Sequence, residues 1–200
     1  EMHIASKNLI EELSEEEIKN NSGKNLIKKM EDEYYTLIQL QKVVGKYKYK
    51  NEFDDLFLKN VDNAKRDLLK TIEEIKNSKY DSMIKNRGNI VLCHNDLAHH
   101  NFIIDGDKVN IIDFDYCSID TRILDIYGYT MKVIKNLAYN EEIIELIIKS
   151  YNEVSKLEDE EIEMLRKLIN YPRDFISIST DYYFKQKMWD EEVFLSRLKN

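Results

Sequence analysis

The chain has 200 residues, 34% of them charged, and a formal net charge of −8. That length suits one domain with a sizeable core. The acidic balance argues against nucleic acid or an anionic membrane surface as the main partner, because both reward patches of Lys and Arg. One Pro and five Gly leave little room for tight turns and favour helix. Cys93 and Cys117 are too few for a disulfide framework and are expected to be reduced, buried packing thiols. No apolar run approaches the length of a membrane span, and no basic segment followed by an apolar one marks a signal peptide. The first residue is Glu1 rather than Met, which points to a fragment.

In chain order, the first strong periodicity lies between Lys24 and Val44. Ile27, Met30, Tyr34, Leu37, Ile38 and Val44 fall largely at three- and four-residue steps and predict a helix. From Glu52 to Lys76 the steps repeat in Phe53, Phe57, Val61, Ala64, Leu68, Ile72 and Ile75. With so short a connection near Asn51, the two helices should pack antiparallel. Ser22, Gly23 and Asn51 punctuate these segments.

The informative stretch is Val91–Asp125. Its opening follows the spacing of a kinase catalytic loop, His, any residue, Asp, four residues, Asn, in His94, Asp96 and Asn101. Two apolar-rich runs follow, Asn101–Ile104 and Lys108–Ile112, separated by Asp105, Gly106 and Asp107. Asp-Gly between such runs predicts a β-hairpin, since Gly tolerates the positive φ of a tight turn. The second strand ends at Asp113-Phe114-Asp115.

The chemistry this order suits is phosphoryl transfer from a nucleotide. Such a site needs a hard-oxygen holder for magnesium and an acceptor for the proton of the attacked hydroxyl. Asn101 and Asp113 are the candidate metal ligands, Asp96 the candidate base or orienting group, and His94 a scaffold for the loop. Asp115 is a candidate assistant to the metal. Asp105 and Asp107 are read as turn residues, and His99 and His100 as loop or packing residues. A competing reading, a metal-dependent phosphohydrolase built on His94, Asp96, His99, His100 and Asp113, lacks the adjacent His-Asp pair of hydrolases of that type.

Beyond the motif, Asp120 and Thr121 are N-cap candidates for a helix through Arg122–Ala138, with Asp125 near its first turn. Ile143–Ile148 is apolar on nearly all sides and reads as a buried helix. Leu157–Asn170 and Asp174–Lys187 follow, divided at Pro172. Tyr171, Tyr182 and Tyr183 read as core or rim aromatics with hydrogen-bonding tips.

The run HNDLAHHNFIIDGDKVNIIDFDYC resembles the catalytic core of the aminoglycoside phosphotransferase and choline kinase superfamily, and within it most closely the CotS-type spore coat proteins. Met2-His3-Ile4-Ala5-Ser6-Lys7 is similar to an F-H-x-A-S-K segment early in that family's helical lobe. Tyr171-Pro172-Arg173-Asp174-Phe175 through Tyr182-Tyr183 to Trp189 and Phe194 is similar to its C-terminal helices. The resemblance implies a mainly α fold with a small β-hairpin, the C-terminal lobe of a protein-kinase-like architecture without its N-terminal β lobe. Residues 1–200 are then one domain, with the segment 91–117 set among helices over 1–86 and 120–200. It also implies ATP and magnesium as cofactors, a small-molecule hydroxyl acceptor, a bracing role for Asp125, and a place in the spore coat with other coat proteins as partners. No Gly-rich loop or phosphate-binding Lys precedes the motif, so the nucleotide-binding residues are unknown and the chain by itself is expected to be inactive. Asn95 stands where many superfamily members have Gly, which is accommodated if the backbone there avoids positive φ. The alternative within the same resemblance is a structural coat protein that keeps the fold without catalysis. From His94 to Asp125, Lys108 and Arg122 face seven Asp. That excess predicts metal entering with the nucleotide and a preference for a cationic acceptor.

Overall fold

In the computed structural model, which describes residues 1–137 and 140–199, the chain divides into two compact units. The first comprises Glu1–Gly23 and Ser78–Ile169, the second Lys24–Asn77 and Asn170–Asn200.

The first unit opens with α1 (Met2–Glu12) and α2 (Glu15–Asn21). Ser14 starts α2 through a capping box with Glu17, which satisfies two otherwise orphaned amides. In the second unit, α3 (Leu26–Gly45) and α4 (Glu52–Lys76) form the helical hairpin the periodicity predicts. All seven apolar residues of the α4 stripe are buried. On α3 the buried positions are Leu26, Met30, Leu37, Leu40 and Val44, whereas Ile27, Tyr34 and Ile38 are half-buried. Asn51 caps α4 by accepting from the amide of Asp54 at 2.9 Å, and Asp54 returns the bond at 3.2 Å.

The chain then re-enters the first unit through α5 (Tyr80–Lys85) and β1 (Ile90–Cys93). β1 pairs antiparallel with β4 (Ser118–Thr121), matching Ile90 with Thr121 and Cys93 with Ser118. Neither strand is legible in the sequence, because four residues are too few to establish a period. Ile10 of α1, Ile90 and Ile119 form a small core beneath this pair, with Leu13 and Ile18 against it. Gly23 donates its amide to Ile119 at 3.2 Å, and a Cβ there would start 2.7 Å from an Asp120 carboxylate oxygen, so a larger residue requires that side chain to turn aside.

Between β1 and β4 lies the predicted hairpin, β2 (Phe102–Asp105) and β3 (Lys108–Ile111). Asp105 pairs with Lys108, so the two-residue turn is Gly106–Asp107, with φ of 58° at Gly106. Gly at the first central position is what a turn of opposite hand requires to match the twist of the strands.

Four helices complete the chain after α6 (Arg122–Asn136): α7 (Glu141–Val154), α8 (Asp159–Ile169), α9 (Arg173–Tyr183) and α10 (Glu191–Lys199). Ala138, the predicted end of the helix starting at Arg122, lies outside the described residues. Thr121 is the N-cap residue of α6, though its hydroxyl makes no capping bond. The expectation of a buried helix at Ile143–Ile148 is corrected. No residue of α7 is buried, and Leu146 is 56% exposed. Its apolar side chains line one wall of a cleft of about 660 Å³ rather than a closed core. α9 stops earlier than Lys187 because Lys185 takes a left-handed φ of 52°, the common way a helix closes its last carbonyls. In the second unit the tyrosine tips find partners: Tyr171 bonds Glu33, Tyr182 meets Asn51 at 2.6 Å, and Tyr183 donates to Asp54 at 2.9 Å. No described helix is long and apolar enough to cross a membrane.

Candidate active site

Every residue singled out as a site candidate falls in the first unit, on the loop after β1, the root of the hairpin, or the first turn of α6. The loop is short and irregular, so its amides need partners outside regular structure. Asp125 supplies two of them. Its carboxylate accepts from the backbone N–H of His94 at 2.7 Å and of Asn95 at 2.7 Å. The same carboxylate accepts from His3 Nε2 at 3.0 Å, and His3 Nδ1 lies 2.8 Å from the Tyr151 hydroxyl. Asp125 is 1% exposed, a burial that a carboxylate tolerates only when its lone pairs are filled in this way.

His94 is fully buried and ties the loop to the hairpin. Its Nε2 lies 2.9 Å from the carbonyl of Ile112, and its Nδ1 accepts from the amide of Asp96 at 3.3 Å. Those partners place the ring proton on Nε2. Phe114 lies against the imidazole with ring centroids 4.6 Å apart.

Asn95 has φ of 63°, so the condition for replacing Gly by Asn at this position is not met in the way expected. Asn is instead among the few side chains that tolerate left-handed backbone. Here its amide also donates to the Tyr116 carbonyl and the Ser118 hydroxyl, both at 2.8 Å.

Asp96 and Asn101 are brought together. The Asn101 amide nitrogen donates to the backbone carbonyl of Asp96 at 2.8 Å and reaches its carboxylate at 3.3 Å. Asn101 is 2% exposed and sits in a 3-10 turn rather than the strand, while its own carbonyl accepts from Ile112 at 3.0 Å. Asp113 follows Ile112 directly, exposed, with φ of 67°. Asp115 lies exposed in the turn beyond it. His99 and His100 are exposed on the 3-10 turn, their rings 5.3 Å apart and nearly perpendicular. Among the described residues, the one trio of His, Cys and carboxylate side chains clustered closely enough to share an ion is His3, Cys93 and Asp125. Among the described residues, nothing of that kind gathers around His99 and His100.

The comparison with protein families decides the affiliation of this loop and hairpin. The model of the choline/ethanolamine kinase family matches residues 4–180. The chain belongs to that family. In fold it is similar to an aminoglycoside phosphotransferase from Alicyclobacillus acidocaldarius, whose crystal structure superposes with a TM-score of 0.78 at 16% identity. The alignment covers 88% of this chain and 53% of that one, so the chain spans about half the length of the solved protein. No curated protein matches the sequence. The mainly helical architecture with small antiparallel sheets is thus the choline kinase-like and aminoglycoside phosphotransferase-like fold.

Within this member of the choline/ethanolamine kinase family, two residues that contact the candidate site lie outside the motif. Lys132 of α6 forms an ion pair with the Asp96 carboxylate, and His3 of α1 holds Asp125. Burial pushes the Asp96 carboxyl up, but Lys132, His100 and Asn101 together outweigh it and hold it below the usual range. Nothing in the motif signals Lys132. The one hint is its spacing of two helical turns from Asp125, which puts both on one face of α6. Cys117 is exposed, which corrects the expectation of two buried thiols, whereas Cys93 is buried. Cys117 lies in the connection between hairpin and β4.

Proposed function

We propose that the chain is the helical lobe of an ATP- and magnesium-dependent phosphotransferase acting on a hydroxyl of a small molecule. The observation that carries this reading is the contact of Asn101 with Asp96 at the foot of a hairpin whose other strand leads directly into Asp113. A base for the acceptor hydroxyl and two oxygen donors for a cation then come from one short segment.

The donor set fits magnesium. Asn101 offers an amide oxygen, its nitrogen being committed to Asp96, and Asp113 offers a carboxylate; both are hard ligands. When bound, the ion would neutralise charge on the phosphates of ATP. The chain's own work is positional. Asp96 orients the acceptor hydroxyl and takes its proton as the oxygen bonds to the γ-phosphorus and the bond to the β–γ bridging oxygen breaks, leaving ADP. His94 and Asp125 hold the loop that carries Asp96. Asp115 is assigned no separate step. Family membership favours an amino alcohol among the acceptors. Lys132 already places one cation on Asp96, so the preference for a cationic acceptor has to come from other acids of the segment.

The test is ATP consumption by the protein expressed with whatever precedes Glu1 in its gene, offered choline, ethanolamine, amino sugars and neutral alcohols. Asp96→Ala and Asp113→Ala should each abolish consumption. Consumption unchanged by either variant would refute the site. The likeness of residues 2–7 and 171–194 to CotS-type proteins adds the spore coat as the place of action, with coat proteins as neighbours. A fluorescent fusion that stays in the mother-cell cytoplasm through sporulation would exclude it.

A further inference from the structure

α6 presents a stripe of three residues, Asp125, Tyr129 and Lys132, spaced four and then three apart and therefore on one face of the helix. Each holds a different part of the candidate site. Asp125 takes the two loop amides, and Tyr129 meets Phe102 at the start of β2 with ring centroids 6.0 Å apart. Lys132 takes the Asp96 side chain itself. The backbone of the loop, the root of the hairpin and the carboxylate are all referenced to a single rigid element.

Asp96 would otherwise be free to turn. Its side chain is 31% exposed, and among the described residues its other side-chain hydrogen bond is the long one from Asn101 at 3.3 Å. Of the other two cations of the segment, Arg122 clasps the buried Glu161, and Lys108 stands at the far end of the hairpin, opposite Asp105 in the strand register. His100 on the adjacent turn is the other titratable group that acts on Asp96.

We infer that Lys132 is a positioning residue for phosphoryl transfer, holding one oxygen of Asp96 so that the carboxylate points in a single direction when the acceptor arrives. The inference rests on the phosphotransferase reading above. A half-exposed ion pair adds little to folding stability, so the consequence of losing it falls on geometry, and a carboxylate displaced by an ångström costs rate rather than nucleotide affinity.

The experiment compares Lys132→Met, Lys132→Arg and Lys132→Ala with Asp96→Ala in the same expressed protein. Lys132→Met should lower kcat about 10- to 100-fold while leaving KM for ATP and the melting temperature essentially unchanged. Lys132→Arg should recover part of that loss. Ethylamine in the buffer should raise the rate of Lys132→Ala in proportion to its concentration and leave the wild type unaffected, which a merely structural role would not produce. If Asp96→Ala abolishes turnover while Lys132→Met keeps kcat within twofold, or gains nothing from added amine as Lys132→Ala, the inference fails alone. If Asp96→Ala has no effect, or no acceptor supports ATP consumption, the phosphotransferase reading fails and this inference with it.

Discussion

His3 and Asp125 stand 122 positions apart and meet through one buried hydrogen bond of 3.0 Å. The bond closes a relay. Tyr151 orients His3, His3 fills the last side of Asp125, and Asp125 holds the amides of His94 and Asn95. Asp125→Ala would leave two loop amides and an imidazole N–H buried without acceptors, each a substantial desolvation loss. A decrease in unfolding free energy on the order of 3 kcal/mol is expected, read by urea denaturation. His3→Ala should cost less, because Asp125 keeps both amides. Equal effects of the two variants would show that the amides are not what Asp125 is there to serve.

Arg122 and Glu161 form a buried ion pair in the first unit. Nε and Nη2 of Arg122 donate to the two carboxylate oxygens at 2.7 and 2.6 Å, while Nη1 and Nη2 also reach Ser155 and the Lys156 carbonyl. Removing one partner strands the other charge. Glu161→Ala should therefore destabilise by about 3–5 kcal/mol, and Arg122→Met paired with Glu161→Leu by clearly less than either single change. A calorimetric double-mutant cycle measures the difference.

Burial, with Asp125 nearby, pushes the Asp120 carboxyl up to about 6 from an ordinary 3.8, despite a hydrogen bond from Thr121 that pulls it down. The native state then holds this proton more tightly than the unfolded chain does. The group's contribution to stability is greatest below pH about 4 and is lost as the pH rises through about 6. Asp120→Asn should raise stability at pH 7.5 by on the order of 2 kcal/mol and do little at pH about 4. Urea midpoints of both proteins across that range check the sign. A larger gain in acid than at neutral pH would reverse the assignment.

The two thiols should differ in reactivity. Burial, with Asp125 and Asp120 close by, pushes the Cys93 thiol well up, and Cys117 is exposed. Because the thiolate is the reacting species, native protein at pH 8 should take up one equivalent of a thiol reagent within minutes and the second only after denaturation. Mass spectrometry of the labelled peptides identifies the site, and rapid labelling at Cys93 would contradict the structure.

What the sequence by itself determined is what repeats at short range. The α4 stripe from Phe53 to Ile75 announces a helix because seven apolar residues recur at its period, and all seven are buried. The hairpin announces itself through Gly106, since a two-residue turn needs a positive φ that this residue supplies at no steric cost. His94, Asp96, Asn101 and Asp113 are legible as a group because their order along the chain is itself the pattern. Tertiary structure decided everything that joins distant positions. β1 and β4 become strands only by pairing across the hairpin between them, and α7 stays half-open because its apolar face borders a cleft. His3 and Lys132 enter the site from helices before and after the motif, through single side-chain contacts that leave no periodic trace. A hydrogen bond between residues far apart in sequence depends on where two elements pack, and packing depends on the whole core at once.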